Sequence, residues 1–152
     1  MKARTFLALV VACAIGFTSC ASNPSPSASG ARSTEADSSL TMFDSDFGPA
    51  LADDKGFTLY GYDDDTGGEI KCVANCATIF PPMPATSLRP GSGIDANLIG
   101  SVVRPDELGE QLTYAGRPLY RFSGDNLPGD ALGVGSGGRW WLVSATGERL
   151  TG

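Results

Sequence analysis

The sequence predicts an all-β protein: a compact antiparallel sandwich or barrel-like domain built from two repeated β units. Three observations support this prediction. One stretch occurs twice at a fixed offset, short alternating apolar runs recur between turn residues, and no long amphipathic helical pattern follows the N-terminal segment. Alternation with a period of two residues puts side chains on opposite faces of a strand, so it favours strands over helices.

The internal repeat is the strongest of these signals. Residues 56–65 align without a gap on residues 116–125, an offset of 60 residues (116 − 56 = 60). We therefore predict two copies of one unit, about residues 48–83 and 109–143, that bury their aromatic side chains together. The offset pairs Gly56 with Gly116, Leu59 with Leu119, Tyr60 with Tyr120, Tyr62 with Phe122, Asp65 with Asp125, Phe80 with Trp140 and Met83 with Val143.

The N-terminus has the three parts of a secretory signal peptide, predicted over residues 1–19. Lys2 and Arg4 supply the positive start, residues 6–17 are apolar and uncharged, and small residues precede Cys20. The apolar run is too short to cross a bilayer as a mature helix. Its end resembles a bacterial lipobox, which implies cleavage before Cys20 and anchoring by diacylglycerol and a further acyl chain such as palmitate.

The chain after the signal peptide divides into a tether and a folded domain. Residues 20–41 are rich in Ser, Ala, Pro and Gly, which predicts a flexible tether, and the β domain follows over residues 42–152. In the first unit we predict strands over 49–52 and 57–62, an acidic loop over 63–78 and a surface connection over 84–97. In the second unit we predict strands over 98–104, 111–114, 119–122 and 140–144, a tight turn at 115–116 and a glycine-rich loop over 123–138.

The charge and composition exclude several functions. Loss of Lys2 and Arg4 leaves 9 basic and 17 acidic residues, so the mature chain carries a net charge of 9 − 17 = −8. An acidic protein is a poor partner for nucleic acid or for anionic lipid headgroups. The chain has no histidine, which excludes a Ser-His-Asp or Cys-His catalytic centre and histidine-bound zinc, copper or haem.

Two cysteines remain in the folded part once Cys13 leaves with the signal peptide and Cys20 is lipidated. An exported domain meets an oxidising environment, so we predict a disulfide between Cys72 and Cys76. The alternative is a redox or soft-metal pair. The usual redox motif has two residues between its thiols and opens a helix, whereas here three residues intervene in a predicted loop.

The repeated stretch carries a family resemblance. Residues 60–65 and 120–125 both fit Tyr-x-aromatic-x-x-Asp, and aromatic-Pro-Pro, Gln-Leu-Thr-Tyr-x-Gly-x-Pro-Leu-Tyr and Pro-Gly-Asp occur nearby. Over about residues 48–147 the chain resembles a bacterial family of predicted lipoproteins with repeated Tyr-x-(Phe/Trp/Tyr)-x-x-Asp motifs, also called secreted repeats of unknown function. One departure is Phe80, where this family usually has Trp. The resemblance implies an envelope location and a repeat architecture, without an agreed activity.

The motif tyrosines and aspartates admit two main interpretations. In the structural one, Tyr60 and Tyr120 bury their rings, while Asp65 and Asp125 cap the following loops by accepting backbone N–H groups. The second main interpretation is a hard-cation site, for which the candidate ligands are Asp63, Asp65, Asp125 and Asp130. A third possibility is general acid–base catalysis on a glycan by two carboxylates, but nothing in the sequence places two carboxylates at the separation that such catalysis needs.

Four further aromatic residues are candidates for binding or packing. Tyr62 and Phe122 are the second aromatic of each motif. Trp140 and Trp141 are adjacent, so they face opposite sides of a strand. The alignment with Phe80 predicts Trp140 in the core. Trp141 is then expected nearer the surface, where it would stack on a sugar or a partner, or cover the other face of the sheet.

The combined prediction is a lipid-anchored cell-envelope lipoprotein, outside the cytoplasm, that acts as a non-enzymatic binding or interaction module without a cofactor. Its expected partners are the membrane, through the lipid anchor, and an envelope protein or glycan. Nucleic acid is excluded as a partner by the charge. The alternative function is a metal-binding or redox accessory protein that uses the acidic loops or the pair Cys72 and Cys76.

Overall fold

The computed structural model describes residues 38–86 and 88–150, so the predicted signal peptide, Cys20 and most of the predicted tether lie outside the described residues. The regular secondary structure of the described chain is almost entirely β, which confirms the predicted fold class. Its elements are β1 (Ser38–Ser45), β2 (Gly48–Ala52), β3 (Tyr60–Tyr62), α1 (Asn75–Ile79), β4 (Leu88–Pro90), β5 (Ile99–Val103), β6 (Glu110–Tyr114), β7 (Arg117–Pro118), β8 (Trp140–Val143) and β9 (Arg149–Leu150).

The strands form three sheets of three strands each, in the orders β2-β1-β4, β3-β8-β9 and β5-β6-β7. The pairings are antiparallel except that of β1 with β4, in which Leu40 lies opposite Pro90 and the strands run parallel. A parallel pair needs a long connection between its strands. The connection predicted over residues 84–97 contains β4, which brings this part of the chain back beside the N-terminal strand.

Several element boundaries differ from the prediction. β1 begins at Ser38, inside the segment predicted as tether, because Leu40 is fully buried in the core. The short helix α1 lies at the end of the predicted acidic loop. The turn predicted at Ala115 and Gly116 joins β6 to β7, and both residues have positive φ (50° and 74°), as a two-residue hairpin turn requires. Among the described residues, no helix has the length and apolar character needed to cross a membrane.

The two units meet at their motif tyrosines. Tyr60 N donates to Tyr120 O at 2.8 Å, and Tyr120 N donates to Tyr60 O at 3.0 Å, so the two residues face one another as an antiparallel pair. These residues are equivalent under the 60-residue offset. The pair therefore lies on an approximate two-fold axis that relates the first unit to the second.

Each tyrosine segment also pairs with the final segment of the other unit. Tyr60 in β3 lies opposite Leu142 in β8, and Tyr120 lies opposite Pro82. The two partners are again equivalent, since 142 − 82 = 60. Proline has no N–H to donate, so the segment around Pro82 makes isolated bridges where its counterpart β8 forms a full strand. The final segment of each unit thus pairs with the tyrosine segment of the other unit, and these segments together form one central layer.

Both faces of this central layer are buried. Leu59 and Leu119 lie in one hydrophobic cluster, and the neighbouring Tyr60 and Tyr120 lie in another, as strand alternation predicts. The first cluster consists of Leu40, Leu51, Leu59, Met83, Leu112, Tyr114, Leu119, Trp141 and Val143. The second consists of Ala50, Tyr60, Cys72, Phe80, Tyr120, Trp140 and Leu142.

The adjacent tryptophans are divided between these two clusters. Trp140 lies in the core as predicted, but the expectation that Trp141 lies nearer the surface is wrong, because Trp141 is only 1% exposed. Gly61 makes room for its indole on the neighbouring strand: a Cβ placed on Gly61 would lie 2.5 Å from the Trp141 ring. The guanidinium of Arg117 lies 5.2 Å from the centroid of the same ring and covers it from outside.

Candidate functional site

Each motif tyrosine donates a hydrogen bond to the motif aspartate of the other unit. Tyr60 Oη lies 2.7 Å from Asp125 Oδ2, and Tyr120 Oη lies 2.5 Å from Asp65 Oδ2. All four side chains are buried, with exposed fractions of 9% or less. A buried hydroxyl or carboxylate needs a partner, and each of these groups finds one across the approximate two-fold axis. These contacts, called the reciprocal pairs below, join the two units.

The same carboxylates also fix the loops that follow the two motifs. Asp65 Oδ1 accepts the backbone N–H of Lys71 at 2.7 Å, and Asp125 Oδ1 accepts that of Leu132 at 3.0 Å. Hydrogen bonds of this kind replace the backbone partners that a loop lacks. The spacing from aspartate to accepted N–H is nearly the same in both units. These are the contacts expected under the structural interpretation of the motif.

The rings around the reciprocal pairs form a layered aromatic cluster. Phe80 and Trp140, which are equivalent, stack on each other with centroids 3.5 Å apart and planes 4° from parallel. Tyr60 meets Phe80 edge to face at 6.0 Å, and Tyr120 meets Trp140 edge to face at 5.2 Å. Both arrangements are favourable for aromatic rings. Phe80, the departure from the motif noted in the sequence, therefore still fills an aromatic position in the stack.

The second aromatic of each motif extends this cluster toward the surface. Tyr62 stacks on Trp140 with centroids 4.4 Å apart, and Phe122 packs on Phe80 at 4.8 Å. Both rings are half-buried. The hydroxyl of Tyr62 donates to Asp64 Oδ2 at 3.0 Å. These two rings therefore lie between the buried aromatic cluster and the solvent.

Burial raises the pKa of all four groups in the reciprocal pairs. For Tyr60 and Tyr120 burial is the largest cause, and the bonded carboxylate raises the pKa further. For Asp65 and Asp125 burial outweighs the hydrogen bonds from the tyrosines, which alone would lower the pKa. The tyrosine hydroxyls therefore remain protonated donors at neutral pH, as the pairing requires.

The raised pKa values of Asp65 and Asp125 predict a pH dependence of stability. A carboxyl group with a higher pKa in the folded state contributes stability that is fully present below its unfolded pKa of about 4 and is lost as the pH rises through the folded value. Relative to the variant Asp65→Asn/Asp125→Asn, the free energy of unfolding of the wild type should rise as the pH is lowered from neutral toward the unfolded pKa of about 4. Urea unfolding at each pH measures this difference, and the opposite slope would contradict the prediction.

The remaining acidic residues do not converge on a cation site. Asp63 pairs with Arg149 at 2.8 Å, and Asp64 pairs with Arg139. Asp130 Oδ2 accepts two backbone N–H groups of its own loop, at 2.8 and 2.9 Å. Within residues 38–86 and 88–150, no three potential ligands lie close enough together to hold a metal ion. The carboxylates proposed from the sequence as ligands instead have separate partners in different parts of the fold.

Cys72 and Cys76 form a disulfide, which confirms the predicted pairing. Their Cα atoms lie 5.1 Å apart, within the usual range for this bond. The link joins the acidic loop to α1, and Cys72 is fully buried against the aromatic cluster. A disulfide with one fully buried cysteine at this position fixes the path of the loop between Asp65 and Phe80, which is a structural role.

Sequence reasoning missed a buried arginine next to this loop. Arg104 is 4% exposed and pairs with Asp106, with Nε 2.8 Å from Oδ1. Its guanidinium also donates to Gln111 Oε1, and to the carbonyl of Cys72 at 2.9 Å. Arginine is rarely buried unless such partners satisfy its donors. The only local signal was the Arg-Pro-Asp order, because the partners Gln111 and Cys72 are distant in sequence.

An open cleft of about 600 Å³, called the polar cleft below, lies beside the reciprocal pair of Asp65. It is lined by residues 65–68 of the acidic loop, by Ser101 and Val102 of β5, by Thr113 of β6 and by residues 115–117 at the turn into β7. Residues of the acidic loop and residues of the sheet β5-β6-β7 thus line the same cleft. Of the candidate site residues named from the sequence, Asp65 alone lines it.

The fold and its reciprocal pairs define a doubled all-β repeat module, in which two equivalent units complete one core. Residues 102–144 match the family model Lipoprotein_15, described as a secreted repeat of unknown function, which confirms the resemblance seen in the sequence. The matched span runs from β5 to the residue after β8 and includes the predicted second unit. Neither the curated proteins nor the solved structures gave a match to the chain. The family description indicates a location outside the cytoplasm.

Proposed function

We propose that the protein is a lipid-anchored, non-enzymatic binding module of the bacterial cell envelope. The observation that carries this proposal is the reciprocal pairing of the motif residues. The motif hydroxyls and carboxylates are buried and hydrogen-bonded to one another, Tyr60 to Asp125 and Tyr120 to Asp65. The repeated motif thus serves as the scaffold, and binding is left to the loops and the polar cleft.

The lipid anchor is the second part of the proposal. The apolar segment before Cys20 and the small residues next to it are typical of a lipoprotein signal. More than one acyl chain on the same cysteine gives stable attachment, whereas a single chain gives only marginal binding. The residues between Cys20 and β1 then act as a tether that lets the domain reach partners near the membrane.

The anchor is tested by the variant Cys20→Ser. We expect the wild type to incorporate a labelled fatty acid and to pellet with membranes, because the acyl chains partition into the bilayer. The variant should lose the label and should no longer pellet with membranes. Cys72→Ser/Cys76→Ser, which removes the other two cysteines of the mature chain, is the matched control and should keep the label. Equal labelling of the wild type and Cys20→Ser would contradict lipidation at this residue.

The binding role is tested with the detergent-solubilised lipoprotein as bait against envelope extracts, which contain both protein and glycan. A specific component should be retained by the wild type and by Cys20→Ser, since the proposed binding surface lies in the β domain. Retention that depends on Cys20 would indicate capture through the lipid alone and would contradict the proposal. Purified protein that chemically converts the retained component would contradict its non-enzymatic part.

A further inference from the structure

The polar cleft has the size of a ligand site, and one of its walls has no counterpart in the second unit. Small-molecule sites typically measure about 300–1,000 Å³, and this cleft measures about 600 Å³. Its outer wall contains Gly67 and Gly68, both with positive φ. The equivalent residues of the second unit are Leu127 and Pro128 (127 − 67 = 60), and proline cannot adopt positive φ. The two loops therefore differ, and the glycine wall belongs to the first unit alone.

Thr113 on the inner wall points to a ligand. It is 6% exposed, and its hydroxyl makes no hydrogen bond to any residue of the described chain. The oxygen itself still reaches solvent, because the fully buried side-chain atoms without a hydrogen-bond partner in the described chain are Asp53 Oδ2, Arg121 Nε and Trp141 Nε1. Its hydrogen bond is therefore made with water or with a ligand in the cleft. Gly100 lies opposite on β5, and a Cβ placed there would lie 2.9 Å from Thr113 Oγ1. The glycine thus leaves the hydroxyl open to the cleft.

The other lining residues indicate the chemistry of that ligand. Thr66 and Ser101 add two more hydroxyls, of which that of Ser101 also donates to Glu110 Oε2 at 3.2 Å, and the glycine wall presents peptide groups without side chains. Hydroxyls both donate and accept hydrogen bonds, so they suit a partner that does the same. The two charged lining residues, Asp65 and Arg117, have opposite signs, and the lining contains no aromatic ring. A neutral ligand rich in hydroxyl groups satisfies this surface better than an anion, a cation or a lipid chain.

We infer that the polar cleft binds a neutral saccharide of the cell envelope, held by Thr113 and by the hydroxyls and peptide groups around it. This inference rests on the binding role proposed above and names its ligand class. A saccharide hydroxyl that reaches Thr113 Oγ1 supplies the hydrogen bond that the fold leaves unmade. The acidic loop, fixed by the disulfide and by Asp65, holds the opposite wall in place.

The test is a titration of the ¹⁵N-labelled mature chain, made soluble by Cys20→Ser, with a trisaccharide of N-acetylglucosamine and, separately, with maltotriose. We expect at least one of them to shift the amide signals of Gly67, Gly68 and Ser101. Thr113→Val keeps the shape of the side chain but removes its hydroxyl, and should weaken binding about three- to tenfold. Its melting temperature should not fall, because the hydroxyl has no partner within the described protein.

Two further variants separate binding from folding. Gly100→Ala places a methyl group against the Thr113 hydroxyl and should also weaken binding. Thr58→Val is the matched control: Thr58 is buried outside the cleft, and its hydroxyl donates to Asp130 O at 2.6 Å. This variant should have a lower melting temperature and unchanged binding.

Three results would overturn the inference: shifts from neither saccharide, shifts only outside the cleft, or binding by Thr113→Val equal to the wild type. Stronger shifts with phosphate or acetate than with either saccharide would also overturn it, in favour of an anion site. If the envelope bait experiment still retains a component, the binding role stands and only its ligand class is wrong. If that experiment also fails, the proposed function itself is wrong.

Discussion

Tyr120→Ala should lower the free energy of unfolding by about 3–5 kcal/mol, because truncation of a large buried ring removes its packing and leaves a cavity. Tyr120 is fully buried, meets Trp140 edge to face and donates the hydrogen bond that satisfies Asp65. Tyr60→Ala should cost a similar amount, since Tyr60 occupies the equivalent place in the other unit. Urea unfolding monitored by tryptophan fluorescence measures both values.

Tyr120→Phe separates the two contributions of this residue. The ring stays in place while Asp65 loses its hydroxyl partner, so the expected loss is smaller, about 1–3 kcal/mol for a buried acceptor left unsatisfied. Tyr62→Ala is the comparison at a less buried ring. The Tyr62 ring is half-buried at the edge of the aromatic cluster, so its loss should lower the free energy of unfolding less than the loss of Tyr120. If Tyr120→Ala unfolds at the same urea concentration as the wild type, the reciprocal pairs are not what joins the units.

Arg104→Met should lower the free energy of unfolding by about 1–3 kcal/mol, because it leaves the buried acceptors that Arg104 satisfies without a donor. The guanidinium pairs with Asp106 and also satisfies Gln111 Oε1 and the carbonyl of Cys72. Methionine keeps much of the volume of the side chain but replaces none of these donors. Thermal unfolding followed by circular dichroism measures the effect.

Arg139→Met is the matched control for Arg104. Arg139 also pairs with an aspartate, Asp64, but its side chain is 56% exposed, so solvent screens the pair. This variant should leave the unfolding midpoint almost unchanged. If Arg104→Met behaves like Arg139→Met, the buried network around the disulfide loop contributes little, and water satisfies Gln111 and Cys72 equally well.

The exchange of segments between the units makes each unit incomplete alone. Tyr60 takes its strand partner from β8 of the second unit, and Tyr120 takes its partner from Pro82 of the first. The carboxylate that satisfies each tyrosine also comes from the other unit. A repeat that buries its polar motif only by pairing with a copy of itself explains why two copies occur in one chain.

Residue pattern alone predicted the features that depend on local or strictly repeated signals. The 60-residue offset identified the equivalence of Tyr60 and Tyr120 and placed Trp140 in the core. Strand alternation and turn residues predicted both ends of β2, β5, β6 and β8 to within one residue. The separation of Cys72 from Cys76, with the predicted export, was enough to predict the disulfide, since few alternatives remain once only two cysteines are left in the folded part.

The features that depend on which surfaces meet were decided by tertiary structure. Trp141 is buried because the first cluster, which contains Leu40 and Leu51, covers its face of the sheet. A strand alternates in the same way whether that face is covered or not. Likewise, the partner of each motif aspartate is a tyrosine 55 or 65 residues away in sequence, and Arg104 finds Cys72 across 32 residues. Sequence periodicity specifies the direction in which a side chain points, whereas the group it meets is set by packing between distant segments.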